Sequence, residues 1–139
     1  MNRKLGFSLI EVLVVLGIVS LLTAIAVPSY SSYGYKARRA EGMSELARVL
    51  QRQEKYYMNR MSYATTLANL GLQVSDNKIE SEDGNYLVEA TACKGSTIAR
   101  CVLLTARPQG KQEGDGWLSI DSRGEKNWQK NTGGDTGWP

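Results

Sequence analysis

The sequence predicts an α+β fold in which one long N-terminal helix, apolar in its first half and amphipathic in its second, packs on a small antiparallel sheet. Three observations carry this prediction. Near the N-terminus runs a continuous apolar stretch, FSLIEVLVVLGIVSLLTAIAV, broken by one ionisable side chain. A second stretch, ARRAEGMSELARVLQRQEKYYMNR, places Met43, Leu46, Ala47, Leu50 and Tyr57 at helical spacing, with Arg48, Arg52 and Glu54 elsewhere around the axis. Beyond it, strand-like runs at residues 86–91, 101–106 and 117–121 are joined by turns short enough for antiparallel neighbours.

The apolar run covers residues 7–27. As a helix it would rise roughly 31 Å at about 1.5 Å per residue, which matches a bilayer core of about 30 Å. Arg3 and Lys4 precede it, so the positive-inside tendency keeps them cytoplasmic and exports the chain beyond Val27. A secretory signal peptide with cleavage near Ala24 or Ala26 is the competing reading. Against it, the run exceeds the usual h-region of about 7–15 residues and carries Glu11 close to its start. A charge in a membrane helix costs on the order of 2.5–3.5 kcal/mol at the centre, so Glu11 asks for a partner or a function, unless it snorkels to the interface.

Pro28 lacks an amide hydrogen, and a kink or local unwinding of the helix is expected there. After SYSSYGY the amphipathic helix should continue to about residue 60. Lys36, Arg38 and Arg39 form a basic cluster expected on a solvated face, while Tyr56, Tyr57 and Tyr63 are expected as packing aromatics. The segment MSYATTLANLGL reads as a loop with a short helical element that sends Leu67, Leu70 and Leu72 to the core. Asp83-Gly84 then signals a turn before the strands. The tail, NWQKNTGGDTGWP, reads as a loop that Trp128 and Trp138 fold back onto the sheet.

The two cysteines, Cys93 and Cys101, flank the turn between the first two strand runs. A bond between them would close a short ring and stabilise the fold by roughly 2.5 kcal/mol. Two cysteines are too few for a zinc site and lack C-x-x-C spacing. Asp115, Asp121 and Asp135 lie among glycines but lack the D-x-D-x-D-G spacing of a calcium loop, which leaves a polar turn. Histidine is absent, removing the usual general base and the commonest metal ligand. No catalytic constellation and no cofactor site are expected.

The stretch from Lys4 to Glu11, KLGFSLIE, followed by the apolar run and by Ala26, Val27, Pro28, Ser29 and Tyr30, resembles the class III signal of the type IV pilin family. That resemblance implies a leader of residues 1–6, removed by a prepilin peptidase between Gly6 and Phe7, and N-methylation of the new terminus at Phe7. It implies a hydrophobic transmembrane and assembly helix over residues 7–35 and an exported pilin domain over residues 36–139. The carboxylate of Glu11 would meet the Phe7 amine of an adjacent subunit, offsetting the desolvation of both charges. Implied partners are other pilins in a helical filament, the peptidase and the inner-membrane assembly machinery. Implied locations are first the inner membrane, with the domain in the periplasm, and then an extracellular filament.

Farther along, Arg52-x-Glu54-x-Tyr56-Tyr57, Tyr63-Ala64, Leu70-Gly71-Leu72, Tyr86, Pro108-x-Gly110 and Trp117-Leu118-x-Ile120-Asp121 are similar to the PilE type of minor pilin. Such chains place a cysteine before the late strand and another near the C-terminus, where this one has Gly116 and Gly137. Competing functions are a pseudopilin of a type II secretion system, which uses the same signal, and a DNA- or surface-binding pilin. Loss of Arg3 and Lys4 with the leader takes 17 basic residues to 15 against 14 acidic ones, a near balance that leaves no electrostatic footprint for nucleic acid.

Overall fold

The computed structural model describes residues 7–130 and 137–139, without the side chains of residues 27–29 and 31. Gly6, with the rest of the expected leader, and Asp135 lie outside the described residues. The chain divides into two compact units, one ending at Gly34 and one beginning at Tyr35. One helix, α1 (Leu9–Arg60), supplies nearly all of the first unit and the opening of the second. Helical backbone runs through Pro28.

In the first unit the stretch Leu9–Ala26 has a mean hydropathy of 2.6 and no buried residue, and is long and apolar enough to cross a membrane. Its two hydroxyl side chains turn inward: Ser20 Oγ donates to the Leu16 carbonyl at 2.7 Å and Thr23 Oγ1 to that of Val19 at 2.9 Å. Each hydroxyl thus satisfies itself within the helix, as a membrane helix requires.

The second unit carries the core. Five strands, β1 (Ile79–Glu80), β2 (Tyr86–Ala92), β3 (Val102–Pro108), β4 (Trp117–Asp121) and β5 (Lys126–Gln129), form one antiparallel sheet in sequence order. A short 3₁₀ turn (Leu67–Leu70) precedes the sheet and buries Leu67 and Leu70, as expected. Strand alternation puts Tyr86, Val88 and Ala90, then Val102, Leu104 and Ala106, then Leu118 and Ile120 on the inner face, where they meet Leu46 and Val49 of α1. The expected strands appear, with β3 running to Pro108. Two more lie beyond the sequence expectation: β1 has only two residues, and β5 occupies part of the stretch read as a loop.

The helix end at Arg60 agrees with expectation, but its buried stripe is rotated. Arg39, Gly42, Leu46, Val49 and Gln53 are buried at spacings of three and four, Ala47 is exposed, and Met43, Leu50 and Tyr57 are only half-buried. Gly42 permits the closest approach, because a Cβ there would lie 2.9 Å from the Tyr86 ring and from Leu118 Cδ1. Gln53 is fully buried and clamps both peptide groups of Ala64, donating to its carbonyl at 2.6 Å and accepting from its amide at 2.9 Å. This ties the chain leaving α1 back onto the helix. Polar length at positions 39 and 53 reaches across to the loops, whereas the exposed Ala47 has nothing opposite to fill.

Candidate functional site

The first candidate is the start of α1. Phe7 is exposed, as is Glu11, which lies in the first helical turn where a carboxylate complements the positive end of the helix dipole. From Leu9 to Ile25 the large apolar side chains are all exposed. Such a surface belongs in a bilayer or against other chains. The structure thus puts Glu11 on an uncovered apolar helix and Phe7 just before it.

The second feature is a buried polar cluster where α1 meets the β3–β4 connection. The Arg39 guanidinium forms a two-pronged ion pair with Asp115, and its face lies 3.8 Å from the centroid of the Trp128 ring. Gln112, fully buried, donates to Asp115 at 2.7 Å and to the Tyr86 hydroxyl at 3.0 Å, and accepts from Arg38 at 2.8 Å. Burial pushes the Tyr86 phenol up to about 12, despite the opposing hydrogen bond from Gln112. The hydrogen bond to Asp115 raises Arg39 above its ordinary value against the pull of burial. Chemically the cluster is a clamp between helix and loop. It corrects one expectation, since Arg39 is not on a solvated face; Asp115 lies in a polar turn, as expected, and is in addition a buried counterion. Apolarity could not signal either residue, although Arg39 does fall three positions before Gly42 on the buried stripe.

Cys93 and Cys101 are joined in a disulfide with a Cα separation of 5.5 Å, at the turn between β2 and β3. Asp121 Oδ2 lies 3.9 and 3.8 Å from the two sulfurs. Both thiols being consumed, this trio offers no thiolate to a metal. Asp121 instead caps its own turn: Oδ1 accepts the amides of Arg123 and Glu125, each at 2.9 Å, and Oδ2 accepts Arg123 Nε at 2.8 Å. Burial alone would raise its carboxyl. The Arg123 and backbone hydrogen bonds outweigh that and hold it below its ordinary range.

Comparison with known proteins matches residues 1–27 to the prokaryotic N-terminal methylation motif and residues 28–116 to the family described as type IV minor pilin ComP, DNA uptake sequence receptor. Among curated relatives, the type II secretion system core protein G of Klebsiella pneumoniae is 31% identical over 62% of this chain and 61% of its own length. The corresponding protein of Dickeya chrysanthemi is 29% identical over 61% of this chain and 56% of its own. The type IV major pilin PilE1 of Neisseria gonorrhoeae is 28% identical over 68% of this chain and 55% of its own. The chain therefore spans little more than half the length of these relatives. With a long apolar-to-amphipathic helix, one antiparallel sheet and a minor-pilin match over most of its length, the chain belongs to the type IV pilin family.

Proposed function

We propose that the chain is a minor subunit of a type IV pilus, held in the inner membrane by residues 7–35 with residues 36–139 in the periplasm, and later assembled through α1 into an extracellular filament. The observation that carries this reading is the abutment of two matches, a methylation motif over residues 1–27 and a minor-pilin region from residue 28. Prepilin peptidase cuts after Gly6, Phe7 is N-methylated, and the Glu11 carboxylate meets the Phe7 amine of a neighbouring pilin. Pro28 loosens the helix between its membrane and domain halves. The chain performs no catalytic step and needs no cofactor.

The experiment combines intact-mass analysis of the mature chain with mass spectrometry of sheared pili, for the wild type and Glu11→Ala. A methylated Phe7 terminus and incorporation of the wild type are expected, with Glu11→Ala processed normally but depleted from filaments. Removing one partner of a buried ion pair typically costs about 3–5 kcal/mol. A mature terminus near residue 25–30 would mean an ordinary signal peptide. A processed chain absent from pili but needed for secretion would favour the pseudopilin reading, which the core protein G relatives support.

DNA capture is the second reading, supported by the description of the matching family as a DNA uptake sequence receptor. Lys94 and Arg100 on the β2–β3 connection and Arg123 and Lys126 around the β4–β5 turn fall at the same end of the sheet, because antiparallel strands bring alternate turns together. Retention of duplex DNA by sheared pili that declines with salt, and falls further when these four cations become Ala, would establish it.

A further inference from the structure

The face of the sheet turned away from the core carries a cleft of about 220 Å³ at the end where β2–β3 and β4–β5 turn. Trp117, Leu103, Ser119 and Asn127 line it, with Lys94 and Arg123 at its rim beside Glu125, and Asp121 set into it. The register aligns Thr105, Ser119 and Asn127 in a row across three strands. Thr105 and Ser119 are 8% and 3% exposed, and neither hydroxyl makes a hydrogen bond to any described residue. Asn127 is exposed, and its amide likewise has no such partner. Hydroxyl and amide groups without a partner in the chain are free to donate to and accept from a ligand.

The cleft's charges select the ligand class. Within the lining, Lys94 and Arg123 are balanced by Asp121 and Glu125, so the cleft itself suits a neutral ligand. A half-buried indole beside hydroxyl, amide and carboxylate groups suits a ring with an apolar face and hydroxyls at its edge. The row also repeats at the strand spacing of about 4.8 Å, which is of the order of one sugar unit along a chain.

We propose that this cleft binds a neutral oligosaccharide lying across the strands, one ring against Trp117 and its hydroxyls paired with Ser119, Asn127 and the next group in the row, Thr105. The inference goes beyond the pilus reading and does not depend on it, since a secretion pseudopilin would carry the same cleft.

The test is calorimetric titration of the full chain, kept in a zwitterionic detergent free of sugar, with three probes: maltohexaose, cellohexaose and chitohexaose. Saturable binding of at least one is expected. It should weaken about tenfold in Trp117→Ala and several-fold in Asn127→Ala, both read against unchanged melting temperature and disulfide content. Asn127 is exposed, so that variant still reports if Trp117→Ala fails to fold. Absence of saturable binding to all three probes, or binding indifferent to Asn127→Ala, overturns the proposal. So does saturable binding of oligothymidylate with none of the three sugars bound, which would identify the cleft as a base-stacking site for single-stranded DNA.

Discussion

The two units of this chain treat the same kind of residue in opposite ways. Through Ala26 the helix exposes every large apolar side chain, while in the unit that begins at Tyr35 the apolar residues of five strands close over Leu46 and Val49. The first arrangement holds no core of its own and gains stability only from lipid or other pilins. The second is self-sufficient, and much of its specificity comes from polar groups inside it. Substitutions should therefore separate cleanly: those in the domain change melting without affecting processing, and those near Phe7 and Glu11 leave melting unchanged.

The strongest break of that contrast should come from Arg39. Arg39→Ala leaves Asp115 as an uncompensated buried charge and strips the cation from the Trp128 face. A loss of about 3–5 kcal/mol is expected, enough to unfold a marginal domain. Chemical denaturation should show it, while membrane insertion and leader removal persist. Arg39→Met with Asp115→Leu should recover a large part of the loss, because two apolar groups need no counterion.

Next in size is the disulfide. Substituting Cys93 and Cys101 together by Ser should lower stability by roughly 2.5 kcal/mol in the chain-entropy picture and leave processing intact. Two reactive thiols in chain purified without reductant would remove the basis for this expectation. Gly42→Ala comes third. Helix propensity favours Ala by about 1 kcal/mol, but its methyl would sit 2.9 Å from the Tyr86 ring and Leu118. Overpacking typically costs about 1–3 kcal/mol, so a net loss of about 1 kcal/mol is expected in the melting curve.

Legibility in the sequence obeys the same divide. Apolar periodicity locates the membrane stretch, the helix end at Arg60 and the three central strands, because in each case the signal is the burial pattern itself. It fails where burial is polar: Arg39 and Asp115 are 76 positions apart and become neighbours only through the fold. Strand β5, Lys-Asn-Trp-Gln, has a single apolar side chain and pairs as an edge strand. The rotated stripe has the same origin, since Gly42 and Gln53 matter for closeness and reach. At the N-terminal end the signal is a local motif, and residues 1–27 match the N-terminal methylation motif without any long-range contact being needed to find it.

The smallest expected effect concerns acid. Asp121 and Glu41 both titrate below their ordinary range; burial opposes this, but for Asp121 the Arg123 and turn amides prevail, and for Glu41 the hydrogen bonds of Ser81, Asn85 and Asp83 do so. A carboxyl whose folded value is depressed stabilises the fold above its unfolded value, about 3.9 for Asp, and loses that contribution as pH falls through the folded value. Stability should thus be level with respect to these two groups from about pH 5 upward and decline below about pH 4. Asp121→Asn isolates one share, since an Asn Oδ1 can still accept the amides of Arg123 and Glu125 while the charge on Oδ2 is gone. Because Arg123 is exposed, the loss near neutral pH should be below about 1 kcal/mol. The variant and the wild type should converge as acid protonates Asp121, leaving the part of the decline that Glu41 carries. Denaturation midpoints across pH 3–7 would show it, and a gap between the two that fails to narrow in acid would mean that Asp121 acts through shape and not through charge.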